Sequence, residues 1–290
     1  MLKITKILII TLYLSNVYNC IYAGQIVKAE KFLQPPVIDG YIDPLWEKTS
    51  EIITHDKAAD IDIKIKAGYT DREIFFLVQY PDKDESREHK TWTWDKTEQM
   101  YVMGAEREDT FVFKWNMEDH PVDLSISSES SHIADIWFWK ACRTDPSGYA
   151  DDKIQKFSKL KSENSREIIL PSGNIMYLQR MGDEGREAYK NTLFVEHTED
   201  LLQRFEPQEP SGSRADVKAR GLWSDGVWTI EFKRALVTRN IDDIQFFKGE
   251  TYDFGVSRYE IAGREVDQES DQPLYGMGDV SEVFTLGFEE

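Results

Sequence analysis

The chain has 290 residues, with 53 acidic side chains against 35 Lys and Arg and a formal net charge of −18. That balance disfavours nucleic acid and anionic membrane surfaces, and it suits either a basic protein partner or plain solubility, with solubility the simpler account. Two cysteines, Cys20 and Cys142, give no disulfide framework, so stability has to come from a buried core.

The first element in chain order is a leader. Lys3 and Lys6 precede an apolar run from Ile7 to Tyr13, and the small pair Ala23-Gly24 comes before the first acid, Glu30. This is the layout of a cleavable signal peptide over residues 1–23, and it predicts export to the periplasm or an equivalent compartment. The run is too short to span a bilayer. Val17-Tyr18-Asn19 ahead of Cys20 lacks the small residues of a lipid-attachment signal. Cleavage would remove two lysines and no acid, moving the charge from −18 to −20 and leaving Cys142 as the single thiol. No later segment is apolar for long enough to be a membrane span.

Strands follow. Segments that alternate apolar and polar residues, or are rich in β-branched and aromatic types, run over Ile61 to Tyr69, Ile74 to Tyr80, Thr110 to Trp115, Ile133 to Trp139, Gly226 to Phe232, Thr251 to Tyr259 and Val280 to Phe288. In Asp60 to Ala67 the isoleucines 61, 63 and 65 share one face, as in a half-buried strand. The expected fold is mainly β, a two-sheet antiparallel sandwich with long loop insertions. Between about 151 and 213 the pattern gives way to polar, charge-rich sequence, read as an insertion within a single domain over 24–290, with a short helix around Glu184 to Thr192 as one option.

Three blocks carry a resemblance. The first is Pro35-Pro36-Val37-Ile38-Asp39-Gly40-Tyr41-Ile42-Asp43-Pro44-Leu45-Trp46. In it Asp39-Gly40 reads as a turn, Asp43 as a helix or turn start, and Trp46 as a cap on one end of the core. The second is Asp135-Ile136-Trp137-Phe138-Trp139-Lys140-Ala141, followed by Arg143, Asp151 and Asp152. The third runs Ser213-Arg214-Ala215-Asp216-Val217, then Trp223 to Arg234 with a hairpin turn at Asp225-Gly226, then Asp242-Asp243-Ile244. The first block is shared by family-9-type carbohydrate-binding modules and DOMON-like domains. Together the three resemble the haem-binding domain of ethylbenzene dehydrogenase-type γ subunits.

That resemblance implies one haem b, and with no Cys-x-x-Cys-His in the chain it would be held non-covalently. It also implies an iron–sulfur β subunit and a molybdopterin α subunit as partners, with a soluble carrier such as a cytochrome c as the outside acceptor. Trp137, Trp139 and Lys140 are the cofactor-binding candidates: at strand spacing the two tryptophans share a face, which suits a haem wall and a core pair equally. The family places its axial ligands on the loop before the Asp-x-Trp-x-Trp strand, often Met-Gly, and on the loop before the final strand, often Lys. This chain departs from both patterns. His132 and Met277 are then the nearest ligand-capable residues, with Met117, His120 and Met176 in reserve.

Other chemistry is sparse. No carboxylate pair, nucleophile elbow or phosphate loop stands out, and Asp82, Asp84 and Glu85 read better as a solvated loop than as a calcium site. Two competing readings remain. One is a carbohydrate-binding module in which Trp92 and Trp94 stack on sugar; the other is a γ-like structural subunit without haem.

Overall fold

A computed structural model describes residues 24–57, 59–125, 127–259 and 279–289. The predicted leader and Met277 lie outside the described residues. In chain order the strands are β1 (Ile26–Lys31), β2 (Glu51–Asp56), β3 (Ile61–Tyr69), β4 (Glu73–Pro81), β5 (Trp92–Asp95), β6 (Met100–Met103), β7 (Thr110–Asn116), β8 (His132–Lys140), β9 (Asp151–Ser158), β10 (Arg166–Ile169), β11 (Ile175–Gly182), β12 (Tyr189–Asn191), β13 (Leu201–Leu202), β14 (Phe205–Pro207), β15 (Lys218–Ser224), β16 (Val227–Ala235), β17 (Tyr252–Tyr259) and β18 (Asp279–Phe288). All seven predicted strands are present.

The main hydrogen-bonded path runs β10-β11-β9-β8-β7-β17-β18-β1-β3-β4-β16-β15, with β2 on the free half of the β3 edge. It folds back on itself, because rings from strands distant along this path meet face to face. Phe76 of β4 lies 4.8 Å from Phe113 of β7, and Trp139 of β8 lies 4.9 Å from Trp228 of β16. The result is a two-layer β-sandwich around one large aromatic core. Period-2 alternation builds it: Ile63 and Ile65 are fully buried while Asp62 and Lys64 between them are exposed. At the β15–β16 hairpin, Asp225 (φ 53°) and Gly226 (φ 79°) form the two-residue turn foreseen for Asp-Gly.

Four expectations need correction. The sandwich is not wholly antiparallel, since β1 pairs in parallel with both β3 and β18. The stretch from 151 to 213 is not irregular: β9, β10 and β11 extend the main sheet, and the Pro171-Ser172-Gly173 turn joins β10 to β11. These strands make a weak hydrophobicity pattern because β9 opens on two buried charges, Asp151 and Asp152, and the buried apolar side chains are only Phe157, Met176 and Leu178. No helix forms over Glu184 to Thr192: Gly185 has φ 122°, Arg186 bridges Ser211, and Tyr189–Asn191 is a strand paired with β14. Trp46 does not cap the main core but packs with Phe32 and Phe75 on the outer face of β4, its Nε1 donating to Glu231 at 3.1 Å.

Candidate functional site

Strand β8 carries most of the residues singled out in the sequence, and its alternation sends them to opposite faces. Trp137 and Trp139 point into the core and are fully buried. Trp137 packs against Phe76, Phe113 and Trp115, and Trp139 Nε1 donates to Asp145 at 2.8 Å. His132 and Lys140 lie on the outer face, where Ala134 and Ile136 are covered by Val122 and Leu124 of the β7–β8 connection. The two tryptophans and Lys140 therefore do not line one slot.

Around Lys140 the outer face is a layer of buried charge. Its ammonium meets the Asp151 carboxylate, which also holds Lys153 at 2.9 Å and Arg214 at 2.8 Å. Burial pulls the Lys140 ammonium down to about 8 despite Asp151. Burial works against the Asp151 carboxylate too, yet the cations around it hold it well below the usual range. Cations and rings then alternate outward. Lys140 lies 5.3 Å and Arg143 5.5 Å over Tyr189, which meets Phe205 edge-on at 5.6 Å, and Arg204 covers Phe205 and Trp92. Arg204 Nη1 also donates to the sulfur of half-exposed Met103. Trp94 meets Tyr101 edge-on and His197 at a tilt, so of the two tryptophans proposed to hold sugar, Trp94 already packs on rings and Trp92 under the Arg204 guanidinium.

This charged end of the sheet is where β17 leaves and β18 returns, since Tyr259 pairs with Thr110 and Thr110 with Lys140. Asp279 is level with Phe138 through Ser257 and Val112. His132 sits at the other end of β8, six residues from Phe138, or about 20 Å along the strand.

His132 is buried against Phe157, with Nδ1 3.1 Å from the Ser130 carbonyl and Nε2 without a hydrogen-bond partner among the described residues. Burial lowers its pKa, which favours the neutral ring. Met176 is buried on the same face in a cluster with Phe157. Met117 is half-buried and His120 exposed, its Nδ1 2.9 Å from Asp119. A Met-Gly pair also stands at 103–104, one strand earlier than the loop searched in the sequence.

A second charge cluster lies on the core side, where Arg234 is fully buried over Trp137 at 4.8 Å. Its Nη1 donates to Asp135 Oδ2 at 2.6 Å, its Nη2 to the Ile244 carbonyl, and the Ile244 amide donates to the same Asp135 oxygen at 3.0 Å. Asp135, Asp152 and Asp243 offer carboxylate oxygens that all lie within 4.8 Å of one another.

A family model described as ethylbenzene dehydrogenase matches residues 37–270. No curated protein matches the chain. Among solved structures, a family-9 carbohydrate-binding module from Caldicellulosiruptor kristjanssonii bound to glucose is 11% identical, covering 91% of this chain and 94% of its own, with a TM-score of 0.39. The same organism's module with cellotriose is 10% identical, with coverages of 92% and 95% and a TM-score of 0.39.

Proposed function

The chain belongs to the ethylbenzene dehydrogenase family, and from that membership we propose that it is the haem b electron-transfer (γ) subunit of a molybdopterin oxidoreductase, exported to the periplasm or an equivalent compartment. Association with an oxidoreductase follows from the match over residues 37–270, the observation that carries the reading. An iron–sulfur β subunit would deliver electrons, and a soluble carrier such as a cytochrome c would remove them. A net charge of −18 suits docking of a basic carrier.

Haem b supplies one-electron chemistry when bound. The chain's own residues offer two separate ligand pairs. At the charged end, Met103 provides a thioether and Arg204 beside it a guanidinium for a haem carboxylate, and Met277, outside the described residues, is the second thioether by sequence. At the other end, His132 provides a buried Nε2 lone pair, its ring oriented by the Ser130 carbonyl, and Met176 shares its face. The Met103 end is favoured because the Arg204 guanidinium sits beside that thioether. Thioether ligation stabilises reduced iron and raises the potential, as an acceptor from iron–sulfur clusters requires.

The test is an absorption spectrum of the exported protein, reconstituted with haemin and reduced. One haem per chain with a low-spin six-coordinate spectrum is expected, lost in Met103→Ala and in Met277→Ala and kept in His132→Ala. A spectrum altered only by His132→Ala moves the haem to the His132 end. Absence of a stoichiometric Soret band refutes the reading.

A further inference from the structure

We propose that Asp135, Asp152 and Asp243, with Asp183 beside them, form a binding site for one calcium ion that ties β8 and β9 to the segment following β16. The sheet builds the site. Asp152 sits directly opposite Trp137 in the β8–β9 ladder, so it shares the core face with Asp135, while its neighbour Asp151 turns outward to Lys140. Asp243 arrives from the far layer with Ile244, whose amide and carbonyl are already fixed on Asp135 and Arg234.

The carboxylates outnumber their donors. Asp135 and Asp152 are fully buried, and Asp243 and Asp183 are 5% and 7% exposed. Arg234 and the Ile244 amide donate to Oδ2 of Asp135, and the same guanidinium lies 3.9 Å from Asp243 Oδ1, beyond hydrogen-bond length. Oδ1 of Asp135 and both oxygens of Asp152, Asp243 and Asp183 have no hydrogen-bond partner among the described residues. Asp183 stands outside the tight group of three. It is tied to it by its amide, which donates to the Asp152 carbonyl at 3.3 Å, and its carboxylate also lacks a donor. Four carboxylates face one guanidinium, and an interior of low dielectric does not hold such an excess unneutralised.

The ligand chemistry selects the ion. Every available donor is a carboxylate oxygen, which excludes soft metals that prefer sulfur or imidazole. Calcium accepts six to eight such oxygens, some in pairs from one carboxylate, at about 2.4 Å, so opposite ligands lie about 4.8 Å apart. The three closest aspartates fall within that span. Magnesium binds closer and keeps much of its water, which suits a buried all-carboxylate cage poorly. The site draws on the second and third sequence blocks, whose Asp135, Asp152, Arg234 and Asp243 have no part in either haem ligand pair.

Metal content of the full exported protein, purified without chelator, is the first measurement, followed by thermal unfolding with EDTA and with calcium chloride. One calcium per chain is expected. EDTA should lower Tm by about 5 °C or more, and calcium should restore it. Asp152→Asn should bind no calcium and show the same Tm in EDTA and in calcium. If that variant does not fold, terbium luminescence sensitised through Trp137 in the wild-type protein, displaced by calcium, reads the same site. No bound calcium at about 1 mM together with a Tm indifferent to EDTA overturns the proposal in favour of carboxyls sharing protons. Retention of magnesium in preference to calcium also overturns it.

Discussion

Gly221 of β15 faces the ring of Trp139 so closely that a methyl group there has no room. A Cβ built on Gly221 would stand 2.3 Å from Cζ2 of Trp139, where ordinary contact begins at 3.4 Å, so Gly221→Ala requires a shift of about 1 Å. The ring resists that shift. Its Nε1 is bonded to Asp145, Trp228 meets it edge-on, and the Gly221 amide donates to the same Asp145 oxygen at 2.6 Å. Overpacking of this kind costs about 1–3 kcal/mol, and disturbing a buried hydrogen bond adds about 1 kcal/mol. Replacing glycine in a strand returns about 0.5–1 kcal/mol. The net loss is about 1–3 kcal/mol, which lowers the urea midpoint by roughly 0.3–1 M at a slope of about 3 kcal/mol/M. Gly287→Ala is the control: its nearest neighbour, Ile26 Cγ2, is 4.0 Å away, so this change should be neutral or stabilising. A midpoint for Gly221→Ala equal to or above wild type would refute the packing argument.

The remaining predictions concern buried titration, thiol reactivity and the hairpin turn. Burial, reinforced by Asp82, raises the Asp109 carboxyl from 3.8 to about 7, so its proton stabilises the fold fully below about pH 4, and that stability is lost as pH rises through about 7. The slope reaches about 1.4 kcal/mol per pH unit, and Asp109→Asn, which keeps the oxygen that accepts from Ser86 and Trp228, should flatten it. An unchanged slope in the variant would show that Asp109 is not the group responsible. Burial, with Glu108 nearby, pushes the Cys142 thiol up to about 12, so alkylation of the native protein at about pH 8 should run at least about 100-fold slower than in urea. Comparable rates by mass spectrometry would contradict this. Gly226→Ala places a side chain at φ 79° and should cost about 1 kcal/mol in urea unfolding; no loss would mean the turn relaxes.

Periodicity and turn chemistry made much of this protein legible in its amino-acid order. Isoleucines 61, 63 and 65 alternate with charges because one face of β3 meets the core, and Asp225-Gly226 marks its hairpin because few residue pairs adopt positive φ twice in succession. The three blocks likewise gave the family. Local pattern did not announce β9 to β11, since β9 opens on two buried aspartates and the apolar residues these strands bury are only Phe157, Met176 and Leu178.

Pairing between distant segments decided the rest. The ladder sends Trp137 and Lys140 to opposite faces, and the length of β8 holds His132 and Lys140 at its two ends. Register also gathers Asp135 with Arg234, 99 positions later, and with the Ile244 amide, 109 positions later, which no spacing rule anticipates. Side-chain type and local period are properties of neighbouring residues and survive in the sequence. Which charges are buried together depends on non-local strand pairing, and that is set only when the sheet closes over its core.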